Sequence, residues 1–443
     1  MYRVSAYCEI RSPPHTIDPT NFDPTRTPPM NPALKKLRFS VKPLPVEGSR
    51  PVELARTMAV HPLTYQELPY DPEYSLYAGR LTPEKMSNAT PDEMYWKARQ
   101  EIIFRHTGEH PYEIAGPDAL KLLQRIFPRD VSRVKTGRCS YQFACYEDGC
   151  MITDGLLLRV ADDRFWFAQA DGDLLSWYRA HAIGLDVKIS DPEVWVSQIQ
   201  GPRSMELLAD LLDRPMPDPW RYFDWVEVRM AGQDVIISRT GFTNELGWEI
   251  YFRPENDIEM LGDLILREGT KKGMILTATP GFRCRRIEAG LLSAGQDFTS
   301  ETTPFSVGLG KFIDFECGDF IGRDALLSAD RTSRTYGMRV VGGTAVRGST
   351  LKQDGQAIGR VTSSTWSPYQ VCGVAIVHLN GNDIGVGAIV EVDGTDGGTH
   401  LAELCALPMY DPKGEIVRGI STTVPNGPEP WAGIAKDRAS ETA

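Results

Sequence analysis

The sequence predicts an α+β fold that ends in an all-β segment. From Leu81 to about residue 330, stretches with helical spacing alternate with short runs of strand-forming residues. Beyond about residue 331 the helical spacing stops, and short β-branched and aromatic runs are separated by Gly and Asp turns. Short strands at such spacing are typical of a small barrel or sandwich. Because 443 residues exceed what one core usually holds, we expect two or three domains.

The individual elements follow from the same patterns. Helical spacing predicts helices over residues 91–99, 117–125, 173–182, 202–212 and 257–269. The C-terminal strands are predicted over residues 336–341, 357–362, 373–378, 389–392 and 400–406. We divide the chain into a Pro-rich N-terminal arm (1–60), a catalytic region (61–330), the β segment (331–412) and a tail (413–443).

Composition excludes several classes of partner. The formal net charge of −11, without a local Lys/Arg cluster, argues against nucleic acid. No apolar run approaches the roughly 20 residues of a membrane span. The eight cysteines are scattered without a C-x-x-C pair, which is typical of reduced thiols in a cytoplasmic protein. His106 and His110 are four residues apart, but Gly108 and Pro111 disfavour a helix that would present both to a metal, so no metal site is expected.

The segment from Arg239 to Ile250, RTGFTNELGWEI, is the most informative motif of the chain. Strand-forming runs at 235–238 and 248–252 flank it, so Glu245 is predicted in a loop between two strands. A carboxylate there can accept two hydrogen bonds from a planar heterocycle that carries an amino group beside a ring N–H. A solvated turn glutamate is the simpler alternative.

This motif resembles the R-T-G-Y-T-G-E-x-G-x-E-I segment of the glycine-cleavage T-protein family. The resemblance covers roughly residues 70–412. Five further segments match in the same order along the chain: GPDA at 116–119, GRCSY at 137–141, IQGPR at 199–203, RIEAG at 286–290 and FIGRDAL at 320–326. The stretch 165–175 is most similar to the family's tetrahydrofolate-dependent demethylases of dimethylsulfoniopropionate. The resemblance implies two mixed α/β domains and a C-terminal β-barrel around a central folate cavity.

The resemblance also implies that tetrahydrofolate is the cofactor. In the family, the glutamate at the position of Glu245 holds the pterin, and Tyr141, Phe167 and Gln169 occupy folate-contact positions. Core packing on a strand is the alternative for Phe167. Trp366 is predicted to contact folate from the β segment, unless it is a core tryptophan.

Asp154 is the candidate catalytic carboxylate. The family carries an aspartate pair in G-G-V-I-D-D, whereas this chain has Thr153 followed by Asp154. The altered pair favours simple methyl transfer over methylene transfer. Hydrogen bonding in a turn is the structural alternative for Asp154.

Arg283 and Arg286 are candidates for the glutamyl tail of folate. Both precede the Ile287–Gly290 segment in a helical register, and a guanidinium can hold a carboxylate in a bidentate geometry. For Arg286, an ion pair with Glu288 or another acidic neighbour is the alternative.

A second departure from the family occurs at Arg105, where relatives have an aspartate near the substrate cavity. Arg105 is therefore predicted to bind an anionic substrate, and His106 to protonate a departing phenolate. Tyr74 and Tyr77 resemble the demethylases' substrate-proximal tyrosines, whose faces attract a sulfonium cation or stack on a methoxylated ring.

These observations predict a tetrahydrofolate-dependent demethylase that takes a methyl group from a small carboxylate-bearing donor. The donor is either a sulfonium such as dimethylsulfoniopropionate or an aryl methyl ether such as a methoxybenzoate. One alternative is a glycine-cleavage aminomethyltransferase, which requires a lipoyl carrier protein as partner. Another is a non-catalytic folate-binding maintenance protein, whose K-G-C-Y-x-G-Q-E motif this chain lacks.

Overall fold

The computed structural model describes residues 36–41, 54–381 and 384–434. Within these residues the chain forms seven α-helices and twenty-one β-strands, arranged as three sheets and a closed barrel. The α+β fold predicted from the sequence is confirmed. No helix among the described residues is long and apolar enough to cross a membrane.

Of the seven helices, the first five lie near their predicted positions, the sixth contains the arginines expected in a helical register, and the seventh was not predicted. The helices are α1 (Pro91–Gln100), α2 (Ala119–Ile126), α3 (Leu175–His181), α4 (Ser204–Leu211), α5 (Ile258–Lys271), α6 (Pro280–Ala289) and α7 (Arg323–Ser328). Local capping explains where α1 starts: Thr90 accepts a hydrogen bond from the Glu93 backbone, and the Glu93 carboxylate accepts one from the Thr90 backbone.

The strands belong to four units. A four-stranded sheet of order β1-β2-β4-β3 contains β1 (Lys36–Val41), β2 (Leu54–Ala59), β3 (Glu73–Tyr77) and β4 (Arg80–Lys85). A five-stranded sheet of order β10-β6-β9-β8-β7 contains β6 (His110–Ala115), β7 (Cys139–Cys145), β8 (Met151–Ala161), β9 (Arg164–Gln169) and β10 (Lys188–Ser190).

A six-stranded sheet of order β12-β13-β14-β11-β5-β15 contains β5 (Ile103–His106), β11 (Trp195–Gln200), β12 (Trp225–Met230), β13 (Gln233–Ser238), β14 (Gly247–Phe252) and β15 (Ile275–Leu276). The closed barrel of order β16-β19-β18-β17-β20-β21 contains β16 (Thr335–Val340), β17 (Thr350–Gln353), β18 (Gln356–Ser367), β19 (Cys372–Leu379), β20 (Ile389–Asp393) and β21 (Thr399–Cys405). The sequence pattern missed β17, which has only one fully buried side chain.

Separate apolar cores stabilise these units. One core lies between the six-stranded sheet and the helices α4 and α5. Another lies between the five-stranded sheet and α2. The two sheets meet through a smaller cluster that includes Leu158, Trp166 and Tyr251. The barrel interior is lined by aliphatic residues such as Val340 and Leu404.

Most of the predicted N-terminal arm lies outside the described residues. The described parts, β1 and β2, pair as antiparallel strands, and β2 joins β4 in parallel. In the tail, the chain from Asp411 to residue 434 runs back across α1 and the barrel. Gln100 donates to the Pro425 carbonyl at 2.8 Å, and the Trp431 backbone donates to the Gln370 carbonyl at 2.8 Å.

Phe167 lies in the core of the five-stranded sheet, fully buried against Phe127 with ring centroids 5.0 Å apart. We therefore expect Phe167→Ala to lower the free energy of unfolding by about 3–5 kcal/mol, because it leaves a cavity in a packed core. Denaturant unfolding measures this loss. Unchanged stability together with weakened folate binding would instead place Phe167 in a binding site.

Candidate active site

A cavity of about 2400 Å³ opens between the five-stranded sheet, the six-stranded sheet, α6 and the barrel. It brings together six of the residues singled out from the sequence. These are Tyr77, Arg105, Tyr141, Asp154, Arg283 and Arg286. The volume exceeds that of an ordinary small-molecule pocket, so the cavity has room for two ligands side by side.

The six-stranded sheet presents a polar row to this cavity. Arg105 on β5 pairs in register with Gln198 on β11, which pairs with Glu249 on β14. Gln198 Nε2 donates to Glu249 Oε1 at 2.9 Å, and Thr240 Oγ1 donates to Glu249 Oε2 at 2.5 Å. All four side chains line the cavity. Burial, with repulsion from Glu109, raises the pKa of Glu249 to about 7.

Glu245 lies outside this lining, in a buried ion-pair network. Its carboxylate accepts a hydrogen bond from Arg99 at 2.9 Å and another from Arg285. Arg285 also donates to Glu288 at 2.6 Å and to the Tyr410 hydroxyl. The loop glutamate predicted to face a ligand thus joins α1, α6 and the end of the barrel.

Asp154 and Tyr141 form a hydrogen-bonded pair on the five-stranded sheet. The Tyr141 hydroxyl donates to Asp154 Oδ2 at 2.7 Å, and both side chains line the cavity. Burial raises the pKa of the Asp154 carboxyl to about 6, so it is ionised near neutral pH and protonated below that value. The pair supplies one carboxylate that can hold or accept a proton.

Arg105 is a buried cation at the same cavity. Its guanidinium lies over the Phe282 ring at 3.9 Å and donates one long hydrogen bond, 3.4 Å, to Thr279. The side chain is only 8 % exposed, and its Nη1 atom is buried without a hydrogen-bond partner. Burial lowers the pKa of Arg105 to about 10, so it stays charged at neutral pH. A buried unpaired donor fits a ligand carboxylate.

His106 points away from the cavity, because successive residues of a strand face opposite sides of the sheet. Its Nδ1 lies 3.0 Å from the Ser197 hydroxyl, and its ring stacks on His61 with centroids 4.8 Å apart. Burial and the Arg105 charge lower the pKa of His106 to about 3. The predicted proton donor is therefore a neutral core histidine away from the cavity.

Glu109 is a cavity-lining carboxylate that sequence reasoning missed. Its Oε2 is buried without a hydrogen-bond partner, and Arg80 donates to its backbone carbonyl at 2.8 Å. Tyr77 lies at the same end of the cavity, where burial and Glu109 raise the pKa of its hydroxyl.

Tyr74, the other tyrosine predicted near the substrate, lies outside the cavity lining. Its hydroxyl donates to Glu67 at 2.8 Å, and burial raises the pKa of the Glu67 carboxyl to about 8.

Three other predicted contacts lie elsewhere. Phe167 is in the core, and Gln169 ties the loop before α3 by donating to the Gly172 carbonyl at 2.5 Å and accepting from the Leu174 backbone at 2.9 Å. Trp366 is 37 % exposed on β18, outside the cavity lining.

The two arginines predicted to hold the folate tail are already paired. Arg283 pairs with Glu84. Arg286 pairs with Asp297 at 2.5 Å and donates to Ser363 of the barrel at 2.8 Å. Both line the cavity with charges that are largely satisfied.

Strand alternation contained the signal for Glu249. In the run from Trp248 to Phe252, the residues 248, 250 and 252 are core hydrophobics, so 249 and 251 must face the other side. An acidic residue in the middle of such a strand is costly to bury without a partner.

Sequence and structure comparisons agree with this architecture. Residues 58–317 match the GCVT N-terminal domain, and residues 334–411 match the glycine cleavage T-protein C-terminal barrel domain. The crystal structure of the glycine cleavage system aminomethyltransferase T from Bartonella henselae superimposes with a TM-score of 0.71, covering 80 % of this chain and 98 % of that chain at 22 % identity.

Two relatives bear different activities. The chain is 31 % identical over 331 residues to the dimethylsulfoniopropionate demethylase DmdA of Ruegeria pomeroyi, covering 73 % of this chain and 90 % of that protein. It is also 31 % identical over 317 residues to an aminomethyltransferase of Halalkalibacterium halodurans, covering 69 % and 85 %.

The family matches and the relatives place the chain among the enzymes of one-carbon transfer. The chain belongs to the glycine-cleavage T-protein family, whose members are tetrahydrofolate-dependent enzymes. The family resemblance predicted from the motifs is confirmed.

The position of Glu245 generates a stability prediction. Glu245→Gln leaves Arg99 and Arg285 buried with less compensating charge, so we expect unfolding to be easier by about 3–5 kcal/mol. Denaturant unfolding of the variant checks this. The charge-matched control is Glu391→Gln, an exposed residue of the barrel. Native stability with lost folate binding would contradict the structural role.

Proposed function

We propose that the protein moves a methyl group from a small carboxylate-bearing donor to tetrahydrofolate. The observation that supports the proposal is the polar row Arg105–Gln198–Glu249, in which a buried guanidinium and a buried carboxylate lie on one cavity wall. A methyl transfer needs its two reactants aligned and shielded from water more than it needs acid or base groups.

Glu249 takes the role that the sequence assigned to Glu245. Its carboxylate lies at the cavity and accepts hydrogen bonds from neutral groups only, whereas the Glu245 carboxylate lies outside the lining and is neutralised by two arginines. A pterin presents an amino group beside a ring N–H, which is a matching pair of donors for a carboxylate. Gln198 and Thr240 fix the orientation of Glu249.

Arg105 and Glu109 define the donor end. Arg105 offers an unpaired buried N–H to a carboxylate, and Glu109 offers an unpaired buried oxygen to a positive centre. Tyr77 lies beside them with an aromatic face. This arrangement favours a donor that carries both a carboxylate and a methylated cation over a neutral aryl ether. The position of His106 supports the same choice, because no imidazole from that residue reaches a departing phenolate.

Tetrahydrofolate, when bound, supplies the nitrogen that accepts the methyl group. The protein's part is to orient both reactants, with Arg105 on the donor carboxylate and Glu249 on the heterocycle. The cationic centre of the donor becomes neutral when the methyl group leaves, so the leaving group needs no proton, and the donor carboxylate keeps its charge. Asp154, ionised above about pH 6, is the carboxylate placed to take up the proton that the acceptor loses.

Product analysis tests this function. The protein is incubated with tetrahydrofolate and, separately, with dimethylsulfoniopropionate or a set of methoxybenzoates, and methyltetrahydrofolate is measured by mass spectrometry. We expect product with the sulfonium. Product with the methoxybenzoates alone would overturn the cationic donor. Methylenetetrahydrofolate formed only with an aminomethylated lipoyl carrier would make the chain an aminomethyltransferase instead.

The assignment of Glu249 predicts its mutant phenotype. Glu249→Gln removes a charge-assisted contact worth about 1.5–3 kcal/mol, so the dissociation constant for tetrahydrofolate should rise roughly 10- to 100-fold. Calorimetric titration of the folded variant measures it, with Glu391→Gln as the control. Unchanged folate affinity would remove Glu249 from the folate site.

The assignment of Arg105 predicts a different pattern. Arg105→Met keeps an unbranched apolar stem but removes the guanidinium and its charge, so the KM for the donor should rise about 10- to 100-fold while folate affinity stays within about twofold. Steady-state kinetics and folate titration separate the two effects. Arg214→Met, at an exposed site away from the cavity, is the control. Weakened folate binding with an unchanged KM would place Arg105 on the wrong ligand.

A further inference from the structure

One wall of the cavity is formed by a segment that lies beyond the family's barrel domain. The match to that domain ends at residue 411, yet Lys413, Gly414, Val417, Arg418 and Ile420 all line the cavity. We call residues 412–420 the C-terminal strap. The chain after it is held by the hydrogen bond from Gln100 to Pro425, so the strap is fixed at both ends.

The strap packs against Arg239, in the loop that follows β13. A Cβ atom added at Gly419, whose φ is +68°, would lie 2.6 Å from Arg239 Nη2, so this close approach depends on glycine. Arg239 in turn donates to the Trp220 carbonyl at 2.6 Å. Arg418 lies near enough to Tyr222 to lower the pKa of its hydroxyl, although burial raises that pKa overall to about 12.

Positive charge accumulates where these two segments meet. The cations of this wall are Arg138, Arg221, Arg239, Lys413 and Arg418, all of which line the cavity. Among the described residues, Arg138 alone of these five pairs with a carboxylate, Asp224. Arg239 is only 8 % exposed, and its Nε is buried without a partner.

Few negative charges offset this group. Asp224 is occupied by Arg138 and by the Arg221 backbone at 2.7 Å. Asp411 is occupied by the backbone N–H groups of Glu415 and Ile416 at 2.8 and 3.0 Å. Glu249, the third carboxylate near this wall, accepts hydrogen bonds from Gln198 and Thr240. Five cations thus outnumber three engaged carboxylates and form a positive wall on a protein whose formal net charge is −11. Like charges brought together at a cavity favour an anionic ligand with several negative groups.

We propose that the C-terminal strap is a binding site for a chain of γ-linked glutamyl carboxylates attached to the folate. This inference rests on the proposed function, because it assumes that folate enters the cavity. Lys413 and Arg418 sit at the exposed edge of the wall, where they meet carboxylates beyond the first glutamate. Arg239, deeper in the wall, meets the first.

The test compares folates of different tail length on the full-length protein. Dissociation constants for tetrahydrofolate monoglutamate and triglutamate are measured by titration for the wild type, for the double variant Lys413→Gln/Arg418→Gln and for the control Lys188→Gln/Arg214→Gln. The control removes the same charge from exposed residues outside the cavity. Thermal unfolding confirms that both variants are folded.

We expect the triglutamate to bind the wild type and the control about tenfold more tightly than the monoglutamate. In the strap variant this ratio should fall to about two or less. Raising the salt from 0.05 M to 0.5 M should also reduce the wild-type ratio, because dissolved ions screen the attraction between exposed cations and the tail carboxylates more strongly at higher salt.

Two results overturn the inference alone. One is a wild type that binds both tail lengths equally, and the other is a ratio that survives the strap substitutions. If the wild type binds neither folate, the proposed function fails together with this inference. Binding of the monoglutamate without any gain from the longer tail leaves the proposed function intact and removes only the role of the strap.

Discussion

The buried ion-pair network around Glu245 and Arg285 is the interaction on which the rest of the structure depends. Arg285 contacts Glu245, Glu288 and Tyr410, while Arg99 adds a second cation to the Glu245 carboxylate. The network therefore joins the loop before β14, the helices α1 and α6, and the chain that leaves the barrel. Buried charges of this kind are tolerated only when each has its partner, which fixes one arrangement of the domains.

A second polar link holds the barrel over the cavity. Arg286 points from α6 to Asp297, whose other oxygen accepts hydrogen bonds from Thr362 at 2.7 Å and Ser363 at 2.6 Å on β18. Neighbouring arginines of one helix thus serve two interfaces. These fixed contacts hold the barrel beside the cavity wall on which Glu249 and Arg105 lie.

Much of the fold was predictable because local patterns and tertiary structure agree. Helix α1 has both a helical pattern and a capping box, and the barrel strands have turn residues between them. The site was predictable to the level of the segment but not of the side chain. The motif located the loop and strand, but it did not show that Arg99 and Arg285 pair with Glu245 in the loop while Glu249 on β14 lines the cavity. Arg105 and His106 show the same limit, since adjacent strand residues point to opposite faces. The partners of Arg283 and Arg286, Glu84 and Asp297, lie at positions that sequence spacing does not bring together.

The cavity is shared among structural units, and this couples ligand binding to their assembly. Its walls come from two sheets, α6, the barrel and the C-terminal strap, so a bound molecule touches parts of the chain that are far apart in sequence. A ligand that binds only the assembled form adds about 2.7 kcal/mol to its stability at 100 times the dissociation constant. A ligand bound in the cavity therefore stabilises the assembled arrangement of the domains. The protein without a ligand is the form in which the domains separate most easily.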